Sequence, residues 1–318
     1  MHRSSPRAAL RALAGAAALT AVLAACGSSG GTPHSSMPGM DHGSGTAHAT
    51  TAPSVSTSPD HSGTASMPGM SGMPGMADGS PGDGLSDVQD GYRLVATTAS
   101  LPTGAPARYR FSVTGADGMP VTDFAVEQTE RLHFYAVRSD LTGFQHVHPV
   151  MAANGRWTAD LAALAPGHWR LYATFTPASG PGAGHDVVLS RPVTVPGRGT
   201  SVALPAAAPA VEADGYTVTV NGDPAGGAAH PLTVRFTRNG APVKDLEPYL
   251  GTYAHLTAFH AGDMAFAHLH PATPVKAGRG GPQLSFHAEL QKPGDWRLFL
   301  QFRTGGVLHT AALTLHVA

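Results

Sequence analysis

Tyr109-Arg110-Phe111-Ser112-Val113 and, further along, Leu232-Thr233-Val234-Arg235-Phe236 alternate large apolar with polar side chains at a period of two. That alternation belongs to a strand with one face in a core and one in water. Asn-Gly, Asp-Gly and Pro-Gly pairs punctuate such runs, and Gly and Pro together make up 39 + 27 = 66 of the 318 residues. A chain so interrupted suits short strands better than long helices. The pattern recurs over two stretches of about 105 residues, each opening on Gly-Tyr, at Gly91-Tyr92 and Gly215-Tyr216. It predicts an all-β protein of two tandem immunoglobulin-like sandwiches of seven strands each, over residues 91–197 and 213–318, joined by a Pro/Ala-rich linker over 198–212.

The two stretches are copies of one another. Pro166-Gly167-His168-Trp169-Arg170-Leu171 matches Pro293-Gly294-Asp295-Trp296-Arg297-Leu298, with each Trp expected in a core. With 20 Lys and Arg against 21 Asp and Glu, the charges nearly cancel. Nucleic acid is therefore not an expected partner, because phosphate binding needs clustered cations. A single cysteine excludes a disulfide framework and any four-thiolate metal site.

Histidine is the unusual residue, at 18 per chain. Residues 132–149 align without a gap on residues 254–271, and over these 18 positions the copies agree at only six. Three of the six are histidines: His133, His146 and His148 in the first copy, His255, His268 and His270 in the second. In His-x-His the two imidazoles project from the same face of an extended chain. If residues 132–137 and 144–148 form a hairpin, His133 falls opposite His148 when paired positions sum to 281, or opposite His146 when they sum to 279. Either register places three imidazoles on one face. A fourth histidine, His185 in the first copy and His309 in the second, precedes the last strand of each. Imidazoles without a thiolate suit copper(II) or, alternatively, zinc, and suit calcium and magnesium poorly. Met264 near the second triad is expected to pack rather than to ligate.

Arg3, Arg7 and Arg11 followed by the apolar stretch Ala12–Leu23 read as an export signal over residues 1–25. It ends in Leu23-Ala24-Ala25-Cys26, which resembles the bacterial lipobox. That resemblance implies lipidation of Cys26, with membrane lipid as a partner and anchorage on the extracytoplasmic face of the cell membrane. Residues 26–90 hold few large aliphatics and no Lys or Arg, a composition expected of a disordered tether. Within it Met37-Pro38-Gly39-Met40, Met67-Pro68-Gly69-Met70 and Met73-Pro74-Gly75-Met76 hold six of the ten methionines, with His42 beside the first. Thioethers select Cu(I), and imidazole takes Cu(II) as well.

Taken together, the lipobox, the Met/His tether and the Phe-x-His-x-His-Pro segments of tandem immunoglobulin-like domains resemble actinobacterial secreted lipoproteins of copper or heavy-metal homeostasis. They are similar in kind to the CopC and YtkA-like binding proteins. The resemblance implies copper capture outside the membrane, with a copper transporter or cuproenzyme as recipient. It departs at one point, because CopC-type proteins use a free N-terminal His where this chain would carry lipidated Cys26. The alternatives are an envelope interaction protein whose histidines decorate its strands, and a copper-dependent oxidase or oxygenase. No catalytic constellation stands out, so an enzyme is not expected.

Overall fold

The computed structural model describes residues 82–276 and 278–318. The lipobox Cys26 and the tether ligands Met37, Met40, His42, Met67, Met70, Met73 and Met76 lie outside the described residues. Among the described residues no helix forms, and eighteen strands make up two β-sandwiches in tandem. In the first sandwich β1 (Val88–Gln89), β2 (Tyr92–Val95), β3 (Ala107–Thr114), β6 (Val150–Met151) and β7 (Arg156–Leu161) form one sheet in the order β1-β2-β3-β7-β6. The facing sheet has the order β5-β4-β8-β9, from β4 (His133–Arg138), β5 (Phe144–Val147), β8 (Gly167–Phe175) and β9 (Val187–Val195).

The second sandwich repeats the plan with β10 (Ala210–Ala213), β11 (Tyr216–Asn221), β12 (Ala229–Arg238), β13 (Ala241–Pro242), β14 (Ala254–His260), β15 (Phe266–Pro271), β16 (Gln283–Glu289), β17 (Gly294–Thr304) and β18 (Val307–Val317). Its two sheets are joined because β15 pairs with β14 at one end and with β16 at the other. The first copy splits that strand at His148-Pro149 into β5 and β6. In the second copy Pro271 stays in the strand, opposite Phe286.

The alternating runs behave as their pattern demands. Tyr109, Phe111 and Val113 of β3 are buried while Arg108 and Arg110 are exposed, and Leu232, Val234 and Phe236 of β12 are fully buried. Trp157 and Trp169 sit in the first core and Trp296 in the second. Each sandwich shows nine strands rather than seven; the additions are the two-residue strands β1, β6 and β13 and the four-residue edge strand β10.

Two parts of the expected domain layout differ in the structure. The tether was expected to extend to residue 90, but residues 83–89 belong to the fold. The amide of Phe266 donates to the Asp83 carbonyl, Arg170 donates to the Leu85 carbonyl, and Val88–Gln89 pairs with β2. Backbone and arginine partners supply here what side-chain composition does not. The linker is likewise held against the fold, with Arg138 donating to the Thr200 carbonyl and β10 beginning inside it at Ala210.

The two sandwiches pack sheet against sheet. Strands β4 and β14 are buried on both faces, one turned to the strand's own core and the other to the neighbouring sandwich. Phe134 and Ala136 face the first core, whereas Tyr135 and Val137 enter a separate apolar cluster with Tyr172, Val188, Phe259, Phe266 and Phe299. Phe144 of one copy stacks on Phe299 of the other, with ring centroids 4.2 Å apart and planes within 6°. His133 and His255 share the face of Tyr135 and Phe259 on their strands, so both histidine hairpins are turned toward the seam.

Candidate metal centre

Both histidine hairpins adopt one register. Phe134 pairs with Val147 and Tyr135 with His146, positions that sum to 281, and Leu256 with Leu269 and Thr257 with His268 repeat it in the second copy. His133 and His148 therefore face each other at the end of the first hairpin, one residue pair beyond Tyr135 and His146 on the same side. Among the described residues, His133, His146 and His148 are the one group of imidazoles and acids whose ligand atoms all lie within 4.8 Å of one another.

The hydrogen bonds fix which nitrogens are available. The Glu127 backbone carbonyl can only accept, so the His133 Nε2–H donates to it, at 3.2 Å, and the lone pair stays on Nδ1. His146 Nδ1–H donates to Gln301 Oε1 at 2.7 Å, which leaves the lone pair on Nε2. His133 Nδ1 and His146 Nε2 face each other at 3.1 Å. Two lone pairs at that distance repel unless a cation lies between them. Nitrogens bound at about 2.0–2.1 Å to one ion with angles between square and tetrahedral stand about 2.9–3.3 Å apart, so the separation fits. His148 completes the group, with a buried Nε2 that has no hydrogen-bond partner and an Nδ1 3.8 Å from Glu130 Oε1.

Burial pushes the His133 imidazolium pKa down to about 4, against smaller upward pulls from the Glu127 carbonyl and the Glu130 and Asp186 carboxylates. Burial lowers that of His148 as well. His133 is therefore neutral at pH 7, the form a metal needs. In the presence of a chelator the unfolded chain takes up this proton near pH 6.5, whereas the native chain does so only near pH 4. Stability is thus complete above about pH 6.5 and declines as the pH falls toward 4. Melting temperatures across that window should show the decline, and His133→Gln should flatten it.

From the second copy, His255 packs against the rings of this group. His255 is buried, its ring 4.7 Å from that of His146 and 5.4 Å from that of His133, tilted by 25° and 17°. His255 Nδ1–H donates to Gln128 Oε1 at 2.5 Å, and Tyr135 Oη–H donates to His255 Nε2 at 3.0 Å. Burial raises the Tyr135 pKa far above its ordinary value, so the phenol keeps its proton. The Tyr135 ring lies over His146 at 4.4 Å. A cavity of about 80 Å³ runs along the seam, lined by Glu127, Glu130, His133 and Asp186 from the first sandwich and by His270, Glu289 and Gln291 from the second. It opens onto His133, with Arg131 among its lining beside the carboxylates.

Of the remaining sequence candidates, His270 stands opposite His255 at the end of the second hairpin in the same register and lines the seam cavity. His268 is on β15, and its side chain lies outside the described residues. His270 is an exposed residue paired with His287 across the ladder to β16. His309 was expected to join the second triad, but it lies inside β18, opposite Phe302, on the sheet face away from His255. There its Nδ1 meets Asp214 at 2.9 Å and its Nε2 meets Thr304 Oγ1 at 3.0 Å. His185 is not its counterpart: Phe175 pairs with Val187 where Phe302 pairs with His309, so Val187 occupies the equivalent place. His185 is exposed in the loop before β9. Met264 packs at the edge of the seam cluster. Tyr135, Gln128 and Gln301 were not anticipated. Tyr135 alone carried a signal, since it lies two residues from His133 and so on the same strand face.

A protein-family model described as a domain of unknown function, DUF8832, matches residues 86–183 and again 211–318. A comparison with curated proteins gave no match. Among solved structures the chain is similar to the adhesin FdeC of Escherichia coli, at 16% identity over 72% of this chain and 64% of that one, with a TM-score of 0.23. The chain thus spans less than two thirds of that adhesin's length. It is also similar to fibronectin(III)-like modules of Clostridium thermocellum CbhA, at 11% identity over 71% of this chain and 93% of that one, with a TM-score of 0.19. The Ig1-2 module of a Drosophila receptor protein tyrosine phosphatase, DLAR, follows at 10% identity over 71% and 98%, with a TM-score of 0.21. The likeness to all three is one of fold.

Proposed function

We propose, for a chain that belongs to the DUF8832 family through both of its sandwiches, that it captures a soft or borderline metal ion, copper or alternatively zinc, outside the cytoplasmic membrane. The observation that carries this reading is the approach of His133 Nδ1 and His146 Nε2 to 3.1 Å while the other nitrogen of each ring faces a carbonyl oxygen, beside the unpartnered His148 Nε2. His133, His146 and His148 would hold the ion, with His255 stacked against them from the second sandwich. The ion would be cargo, and the chain is read as a binding protein rather than an enzyme. Lipidated Cys26 would tether it, the Met-Pro-Gly-Met segments would gather Cu(I), and a copper transporter or cuproenzyme would receive the ion.

The proposed centre is that of the first hairpin, whose three imidazoles are described together; the side chain of His268 in the second lies outside the described residues. Titration of the full chain with Cu(II), followed by electron paramagnetic resonance, tests this. One tight equivalent with at least three nitrogen ligands is expected beyond what the His133→Ala/His146→Ala/His148→Ala variant retains. Equal binding by the two would overturn it.

The second reading is an envelope-tethered pair of immunoglobulin-like modules that engages another envelope component. It is favoured by the saturation of His255, both of whose ring nitrogens have protein partners, as expected if the imidazoles serve to cement the seam. Under it, adding Cu(II) or Zn(II) leaves the melting temperature of the wild-type chain unchanged. Under the first, the melting temperature rises with metal concentration, since a ligand that binds only the native state stabilises it by mass action.

A further inference from the structure

We infer that Gln301, from the second sandwich, is the residue that positions His146 for metal, so that the centre on the first sandwich works only while the two are docked. This rests on the metal reading above. Gln301 is buried on β17, directly across the ladder from His255. Its side chain crosses the seam to His146, 155 residues away in sequence, and its carbonyl oxygen takes the Nδ1 proton at 2.7 Å. The equivalent position in the first copy, across from His133, is Thr174, whose side chain carries no carbonyl. The copies have diverged at this position, and that divergence gives the seam its asymmetry.

The consequence is a choice of tautomer. With the proton held on Nδ1, His146 presents its Nε2 lone pair toward His133 Nδ1. Removing the acceptor at 301 takes away the partner described at Nδ1, and the neutral ring can then carry its proton on Nε2 and donate to His133 Nδ1 across the same 3.1 Å. The triad would then close on itself, and a metal would have to break that bond before binding. Outer partners that orient ligating imidazoles typically change metal affinity by about 10–100-fold.

The test uses the full chain with Gln301→Leu and Gln301→Glu, each checked by near-ultraviolet circular dichroism. In the metal-free protein, long-range ¹H–¹⁵N spectra should show His146 protonated on Nδ1 in the wild type and on Nε2 in Gln301→Leu. Cu(II) affinity, measured against a competing chelator, should fall about 10–100-fold in Gln301→Leu. In Gln301→Glu it should be equal to or tighter than wild type, because a carboxylate keeps the acceptor and makes the imidazole more basic. If Gln301→Leu does not fold, the Glu variant decides, and a loss of affinity there overturns the inference. So does an unchanged His146 tautomer in a folded Leu variant. A wild-type chain that binds no metal at the triad would sink the functional reading instead, while the tautomer spectra would still report on Gln301.

Discussion

His146→Ala/His148→Ala removes tight Cu(II) binding from the folded chain, leaving only what the Met/His segment before residue 82 holds. Two of three ligands are lost at once, so the fall in affinity should exceed the roughly 10–100-fold expected when only an outer partner is removed. The change costs little stability, because both rings are only partly buried and neither fills the apolar core. A loss within about 1–2 kcal/mol is the ordinary scale for such sites. Competition titration together with a melting curve separates the two effects. His309→Ala is the control: it breaks the bonds to Asp214 and Thr304 and should lower the melting temperature while Cu(II) binding stays intact. Unchanged Cu(II) affinity in the double variant would remove His146 and His148 from the centre.

Phe259→Ala should be the most damaging single change in the seam. Phe259 is fully buried and makes ring contacts with Tyr135, Phe144, Tyr172, Phe266 and Phe299, which come from both sandwiches. Truncating a buried Phe costs about 3–5 kcal/mol, as lost transfer energy plus an unfilled cavity. The side chain lies outside either sandwich's own core cluster, so the loss falls on the packing between them. Calorimetry should show one cooperative transition in the wild type and two in the variant, with Cu(II) affinity falling in parallel as Gln301 withdraws from His146. A single transition shifted by less than the equivalent of about 1 kcal/mol would show that the seam is not what couples the two halves.

Much of the first-copy centre was legible in the sequence. His-x-His on a strand fixes two imidazoles on one face, and the third follows once the hairpin register is one of two. The structure adopted the one in which paired positions sum to 281. The assignment of His185 and His309 failed because sequence proximity to the last strand says nothing about facing. In a strand, one residue of offset turns a side chain to the opposite face, and His309 pairs in the row of Ala254 rather than that of His255. The seam was not read from the sequence and emerges only in the structure. His133-Phe134-Tyr135-Ala136-Val137 is buried at every position, the mark of a strand covered on both sides.

Local chemistry settled what depends on neighbours along the chain. Strand periodicity, the Gly and Pro turns and the duplicated histidines made this an all-β tandem repeat with imidazoles on one face of each hairpin. Which imidazoles meet, and in which protonation form, was decided by contacts between residues more than a hundred positions apart: His146 with Gln301, and His255 with Tyr135 and Gln128. Such pairs arise from how two finished sheets dock. Docking responds to the summed shape of both faces, and no short window of sequence contains that sum.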